Sequence, residues 1–329
     1  MRSTRIGTTA VHVTELSFGA AALGNLYRPV SEEQAAGAVD AAWRAGIRYF
    51  DTAPHYGLGL SERRLGAALR DKPRDAFTVS TKVGRILEPR PGAEGDDLAH
   101  GFAVPATHER RWDFSAAGVR RSVEESLGRL GLDRIDIAYL HDPDDHADQA
   151  LGEAYPELVR LRDEGVVGAI GLGMNQSALP ARFLLECALD VVLLAGRYTL
   201  LDQDGLAELL PLAEEKGTAV VAGGVYNSGL LADPRPGATF DYTEAPAELL
   251  ARAQELQRTC ARHGVPLRAA ALRFPLGHPA VVSVLTGARD AAEAQDAAAM
   301  LDADTPEALW AELRERGQLD PGVPVPTRS

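Results

Sequence analysis

The sequence predicts an α/β protein folded as a single (β/α)8 TIM barrel. Short apolar runs alternate with amphipathic stretches along the whole chain, eight such runs can be counted, and the glycine fingerprint of an open nucleotide-binding sheet is missing. Alternating strand and helix implies a parallel sheet. Eight strands favour closure, and a barrel of this kind uses about 250 residues, so the 329 residues are read as one barrel over 1–320 with a short tail. The nearest glycine pairs, Gly57-Leu-Gly59 and Gly171-Leu-Gly173, both lack the third glycine that an open sheet would need.

Taken in order, Arg5–Thr14 is rich in β-branched residues and predicts an N-terminal β-hairpin. The barrel strands are expected at Leu16–Ala20, Ile47–Asp51, Phe77–Val83 and Ile135–His141, then Val167–Gly173, Val191–Ala195, Thr218–Gly224 and Val281–Thr286. Helix starts are signalled by Ser31 with Gln34 as a capping box, by Ser61 before Glu62, and by Asp113-Phe114-Ser115 ahead of a long periodic run. Gly84–Trp112 has no convincing periodicity and reads as a long loop after the third strand, a lid over the site. A second long active-site loop follows the seventh strand. The proline-rich end, 321–329, is expected to be a disordered tail.

Composition narrows the partners. The 47 acidic residues exceed the 34 basic ones, for a net charge of −13, which would repel nucleic acid and anionic lipid. Small molecules are the expected partners, with no nucleic acid and no membrane; oligomeric state is not legible. No run of 18 apolar residues occurs, and the N-terminal MRSTRIGTTAVHV lacks a signal peptide's apolar stretch, so a cytoplasmic location is expected. Cys187 and Cys260 lie in helix-like contexts without CxxC spacing, which argues against a disulfide or zinc site. The acidic run His141-Asp142-Pro143-Asp144-Asp145-His146 could suggest a metal, but barrel metal sites draw ligands from several strands, so none is expected.

Asp51, Lys82 and His141 close the second, third and fourth predicted strands, and Tyr56 follows Asp51 by five residues. A lysine at the inner end of FTVSTKV is costly to bury unless a carboxylate partners it, and Asp51 can supply one. A tyrosine hydroxyl ordinarily ionises near ~10. A neighbouring ammonium favours its phenolate and brings proton transfer within reach of neutral pH. His141 can donate a hydrogen bond to a substrate oxygen. Each group alone reads as a structural ion pair or a satisfied core residue. Convergence on the C-terminal rim, where barrel enzymes keep their chemistry, is what points to a site.

The stretch FDTAPHYGLGLSERRLGAAL, Phe50 to Leu69, resembles the aldo-keto reductase signature, and Lys82 in VSTKV and His141 in DIAYLHDPD match that family's other two catalytic positions. The similarity is collinear over nearly the whole chain. Within the family, residues 112–145 and 193–231 resemble the bacterial aldose 1-dehydrogenase branch, which includes L-fucose dehydrogenases and pyridoxal 4-dehydrogenase-like members. The resemblance implies a nicotinamide-dependent oxidoreductase of carbohydrate metabolism. It would oxidise the anomeric hydroxyl of an aldose, or a pyridoxal hemiacetal, to a lactone, with Tyr56 as acid and base. An NADPH-dependent aldehyde reductase and a nucleotide-sensing regulatory subunit are the alternatives.

The resemblance also assigns cofactor positions, with departures. Asn175 matches a carboxamide holder, while Met174, Ala195 and Gly223 stand where relatives carry Ser, Gln and a stacking aromatic residue. The turn Gly223, Gly224, Asn227, Ser228, Gly229, Leu230 would let backbone N–H groups approach a pyrophosphate. After the eighth strand, Gly287 and Arg289 precede a helix N-terminus, a natural anion site. Glu293 replaces the arginine of NADP-preferring relatives, and Ala297 their asparagine. A carboxylate there would repel a 2′-phosphate, so NAD is expected, with NADP as the alternative. His55, Trp112 and Arg197 are the candidate substrate contacts.

Overall fold

The computed structural model describes residues 1–327 apart from Tyr242. Eight parallel strands follow one another around a closed ring, the last pairing with the first. They are β1 (Leu16–Gly19), β2 (Tyr49–Asp51), β3 (Thr78–Val83), β4 (Ile135–His141), β5 (Val167–Met174), β6 (Val191–Ala195), β7 (Ala219–Gly223) and β8 (Val281–Gly287). Each lies within two residues of its predicted bounds.

Side chains alternate across each strand and sort into two cores. The outward set, with Phe50, Val79, Leu140, Val192 and Val220, packs beneath the surrounding helices. The inward set, with Tyr49, Ile137, Tyr139, Val191 and Val221, fills the ring. The expected N-terminal hairpin, Ser3–Arg5 against His12–Thr14, seals the bottom, adding Ile6, Val11 and Val13 to the inward core. The same alternation carries functional groups to the top: Tyr49 is followed inward by Asp51, Ser80 by Lys82, and Tyr139 by His141.

The helices around the ring include α1 (Glu32–Arg44), α2 (Leu60–Leu69), α3 (Ala116–Leu130), α4 (Tyr155–Asp163), α5 (Ala178–Glu186), α6 (Leu209–Lys216), α7 (Ala247–Arg262), α8 (Leu267–Arg273), α9 (Ala291–Asp302) and α10 (Glu307–Glu315). Ser31 and Gln34 form the predicted capping box of α1, and Ser115 caps α3. Ser61 is not a cap: α2 begins at Leu60, and the buried Ser61 hydroxyl donates to the Ala20 carbonyl and meets Thr52. Cys187 ends α5 and Cys260 is buried in α7, and burial pushes both thiols up to about 12. Among the described residues no helix is long and apolar enough to cross a membrane.

Two expectations need correction. Gly84–Trp112 is not irregular: Arg85–Pro89 pairs antiparallel with His108–Trp112, and Asp96–Asp97 with Phe102–Pro105. Arg85–Pro89 and His108–Trp112 mix charged and apolar residues and pair across a wide gap, and Asp96–Asp97 and Phe102–Pro105 are only two and four residues long, so no sustained alternation announced them. Nor is the end of the chain loose over its described residues. Val323 is 4 % exposed, its carbonyl accepts from Arg314, and Val325 lies so close to Gly277 that a Cβ there would meet its backbone at 2.5 Å. Arg328 and Ser329, the last of the expected tail, lie outside the described residues.

Candidate active site

Asp51, Lys82 and His141 end β2, β3 and β4 on the inward row, and the turn after β2 carries Tyr56 back over them. That turn is fixed by close backbone contact. A Cβ at Gly57, whose φ is +61°, would meet the Gly24 carbonyl oxygen at 2.2 Å, so only glycine fits. The Lys82 Nζ donates to Asp51 Oδ2 at 2.7 Å and to the Thr52 carbonyl at 2.9 Å, with both charged side chains almost fully buried. Ser80 donates to the other Asp51 oxygen, and Tyr49 links Ser80 to Tyr139. The Lys82 ammonium lies 4.7 Å from the Tyr56 ring centre. Burial alone would lower the Lys82 pKa, but Asp51 and Tyr56 together outweigh it, so the group is held above its ordinary value and stays charged.

The His141 ring stands perpendicular to the Tyr56 ring at 6.2 Å. Burial, with the cations Arg85 and Lys82 adding to it, holds His141 well below its ordinary value, so it is a neutral imidazole. His55 meets both rings at 5.9–6.1 Å and packs edge-on against Phe102 at 5.2 Å. Burial, again with Arg85 and Arg110 adding to it, pushes His55 down to about 2, and its Nδ1 is buried without a partner. Phe102, Val104 and Leu87 of the ribbon after β3 cluster with Leu58 and flank Tyr56. The segment read as a lid therefore folds against the tyrosine.

A cavity of about 590 Å³ runs from Asp51 and Tyr56 past Asn175 and the turn after β7 to Arg289 and Glu293. Of the residues expected to hold a cofactor, Asn175, Gly224, Asn227, Ser228, Gly229, Gly287, Arg289 and Glu293 line it; Gly223 and Leu230 do not. Gly223 is engaged in the β6–β7 ladder and Leu230 is fully buried. The amides of Asn227, Gly229 and Leu230 already bond to carbonyls inside the turn, so it offers fewer donors than expected. A long anionic group still fits here. Gly224 has φ +61° and a Cβ there would press on the Gly196 nitrogen, while the Arg289 Nε is a buried donor without a partner; Asn227 Oδ1, also unpartnered, can accept only from a donor such as a ribose hydroxyl. Tyr226 also lines this cavity, with its hydroxyl near Asp296 and Arg268.

The expected substrate contacts separate. His55 joins the tetrad. Trp112, at 42 % exposed, lines a second cavity of about 450 Å³ with Arg85, Asp142, His146, Asn175 and Gln176. Arg197 sits in the first cavity instead, its guanidinium bonded to Asp241 of the loop after β7 and near Asp202. Asn175 borders both cavities. Sequence reasoning missed Arg85 and Asp142, which pair beside His141; Arg85 follows Lys82 by three residues, a signal lost when that segment was read as loop.

The sequence matches the model of the Aldo/keto reductase family over residues 15–316. It is 48 % identical over 308 residues to a D-threo-aldose 1-dehydrogenase of a Pseudomonas species, covering 92 % of this chain and 94 % of the relative. It is 41 % identical to the pyridoxal 4-dehydrogenase of Microbacterium luteolum, over 95 % of this chain and 96 % of the relative. A solved aldo-keto reductase from Bacillus halodurans (holo form) superposes with a TM-score of 0.75 at 26 % identity, covering 96 % of both chains.

Proposed function

From the premise that the chain belongs to the aldo/keto reductase family, and is thus a nicotinamide-dependent oxidoreductase, we propose that it oxidises the anomeric hydroxyl of an aldose to the lactone. The observation that carries the reading is the buried Lys82 held between Asp51 and the Tyr56 ring, with neutral His141 across from it. The substrate class follows the relative named D-threo-aldose 1-dehydrogenase. Oxidation of a pyridoxal hemiacetal is the second reading, favoured by the relative named for that compound.

Tyr56, as phenolate, accepts the proton of the substrate hydroxyl; Lys82 stabilises the negative charge, and Asp51 fixes Lys82. His141 donates its N–H to the same oxygen and orients it. With its basicity depressed by burial, it does not compete with Tyr56 as the base. The nicotinamide supplies the hydride acceptor when bound. Asn175, at the junction of the two cavities, would hold its carboxamide, and the turn Gly224–Gly229 with Arg289 would hold the phosphate end.

NAD is the proposed cofactor. Glu293 Oε2 accepts the Arg289 backbone N–H at 2.8 Å and Oε1 lies 3.3 Å from its guanidinium, and a carboxylate already engaging these donors supports a cofactor without a 2′-phosphate. The test follows absorbance of the reduced cofactor with L-fucose or pyridoxal as substrate and NAD or NADP as oxidant. Turnover of L-fucose with at least a tenfold preference for NAD is expected. A tenfold preference for NADP overturns the cofactor assignment, and turnover of pyridoxal alone overturns the aldose reading.

A further inference from the structure

The cavity beside the tetrad is walled by charged groups that the reaction above does not use. Arg85, first residue of the ribbon after Gly84, is 13 % exposed. A guanidinium carries five N–H donors. The similarly buried Arg64 spends its donors on the Leu23 and Val30 carbonyls, Asn25 and Glu32. Among the described residues the Arg85 guanidinium hydrogen-bonds only to Asp142, and its Nε is buried without a partner. The Trp112 ring, 4.4 Å away, holds the guanidinium in place without satisfying its donors. A half-satisfied cation at a cleft wall is costly unless a ligand completes it.

Asp142 supplies the matching acceptor. It follows His141 directly, has φ +43°, and is anchored by its amide on the Gly173 carbonyl. Its carboxylate pairs with Arg85 and stands 3.5 Å from His141 Nε2. The donor–acceptor couple therefore begins where the histidine that orients the reacting oxygen ends. A hydroxyl on the neighbouring carbon is itself both donor and acceptor: its O–H donates a hydrogen bond to a carboxylate and its oxygen accepts one from a guanidinium.

We propose that Arg85 and Asp142 together bind the hydroxyl adjacent to the reacting carbon, making Arg85 a specificity-determining residue for polyhydroxylated substrates. The inference rests on the aldose reading and deepens it. Steady-state kinetics with L-fucose and 2-deoxy-L-fucose test it, because the two sugars differ at that hydroxyl. Native protein is expected to prefer L-fucose in kcat/KM by about 10- to 100-fold, as a hydrogen bond to a charged group implies. In Arg85→Met the ratio falls below about threefold, by loss on L-fucose rather than on the deoxy sugar. A ratio of two substrates on one preparation does not depend on the fraction folded. Arg85→Lys, which keeps the charge on Asp142 but loses the fork, should give an intermediate ratio if the Met variant does not fold.

A native ratio in both variants overturns the inference while leaving the aldose reading intact. Native protein that oxidises neither sugar overturns the aldose reading, and the inference falls with it.

Discussion

A methionine at position 82 would keep most of the lysine's stem but leave Asp51, 1 % exposed, without its cation. Removing one partner of a buried pair costs about 3–5 kcal/mol, so Lys82→Met should lower stability by that order in denaturant unfolding. In any residual oxidation activity, the rise of rate with pH that reports Tyr56 ionisation should move to higher pH; an unmoved rise would make Lys82 purely structural. Tyr56→Phe should keep the melting temperature yet lose about 10²- to 10⁴-fold in kcat, and turnover within threefold of native would exclude Tyr56. At the other end of the cavity, Glu293→Arg should shift kcat/KM about tenfold towards NADP, mainly through KM. Asp51 and Lys82 were legible because a period of two fixes which strand-end side chains look inward, whereas Tyr56 and Glu293, in a turn and a helix, were placed by spacing and by the family resemblance. Arg85 was not, since its partner Asp142 and its stacking on Trp112 come from elements far away in sequence.

The ribbon of residues 85–112 shows how an element escapes sequence reading. RILEP and HERRW carry charges on both faces; their pairing is stabilised by the Glu88–Arg111 ion pair, by the adjacent buried Ile86 and Leu87, and by Phe102 tucked against His55 and Tyr56, not by an alternating apolar pattern. Phe102, 2 % exposed, anchors the ribbon over the site. Phe102→Ala should speed hydrogen exchange across 85–112 and raise the sugar KM several-fold, with cofactor affinity unchanged; equal effects on both ligands would count against a substrate-side role for the ribbon. Barrel strands, in contrast, are apolar runs buried on both faces, and their spacing alone revealed the ring.

Over the whole molecule, acid should be disproportionately damaging. His141 is buried and His55 half-buried, and both are held below their ordinary value, His55 down to about 2. Above an unfolded value near 6.5 both states are uncharged, so the two rings leave stability unaffected. Below it, the unfolded chain takes up protons that the folded chain refuses. Each ring then removes about 1.4 kcal/mol per pH unit as pH falls. Between pH 6.5 and 5 the pair should cost on the order of 4 kcal/mol, measurable by urea unfolding at the two pH values. His55→Asn should roughly halve that slope; an unchanged slope would show that His55 takes up its proton while folded.

The ring is sealed between β1 and β8, where the hydroxyls of Ser17 and Ser283 meet across 266 residues of chain. A chain growing from its N-terminus has acquired Asp51, Tyr56, Lys82 and His141 before its midpoint, yet nothing closes around them until residues 281–287 leave the ribosome, roughly 10 to 30 s later at ordinary rates of synthesis. Through that interval the ion pair stands in water and β1 lacks the neighbour that will cover its edge. Nascent chains halted short of residue 281 would hold the whole tetrad and none of its chemistry, and activity would arise late in translation, in one step, as the last strand docks.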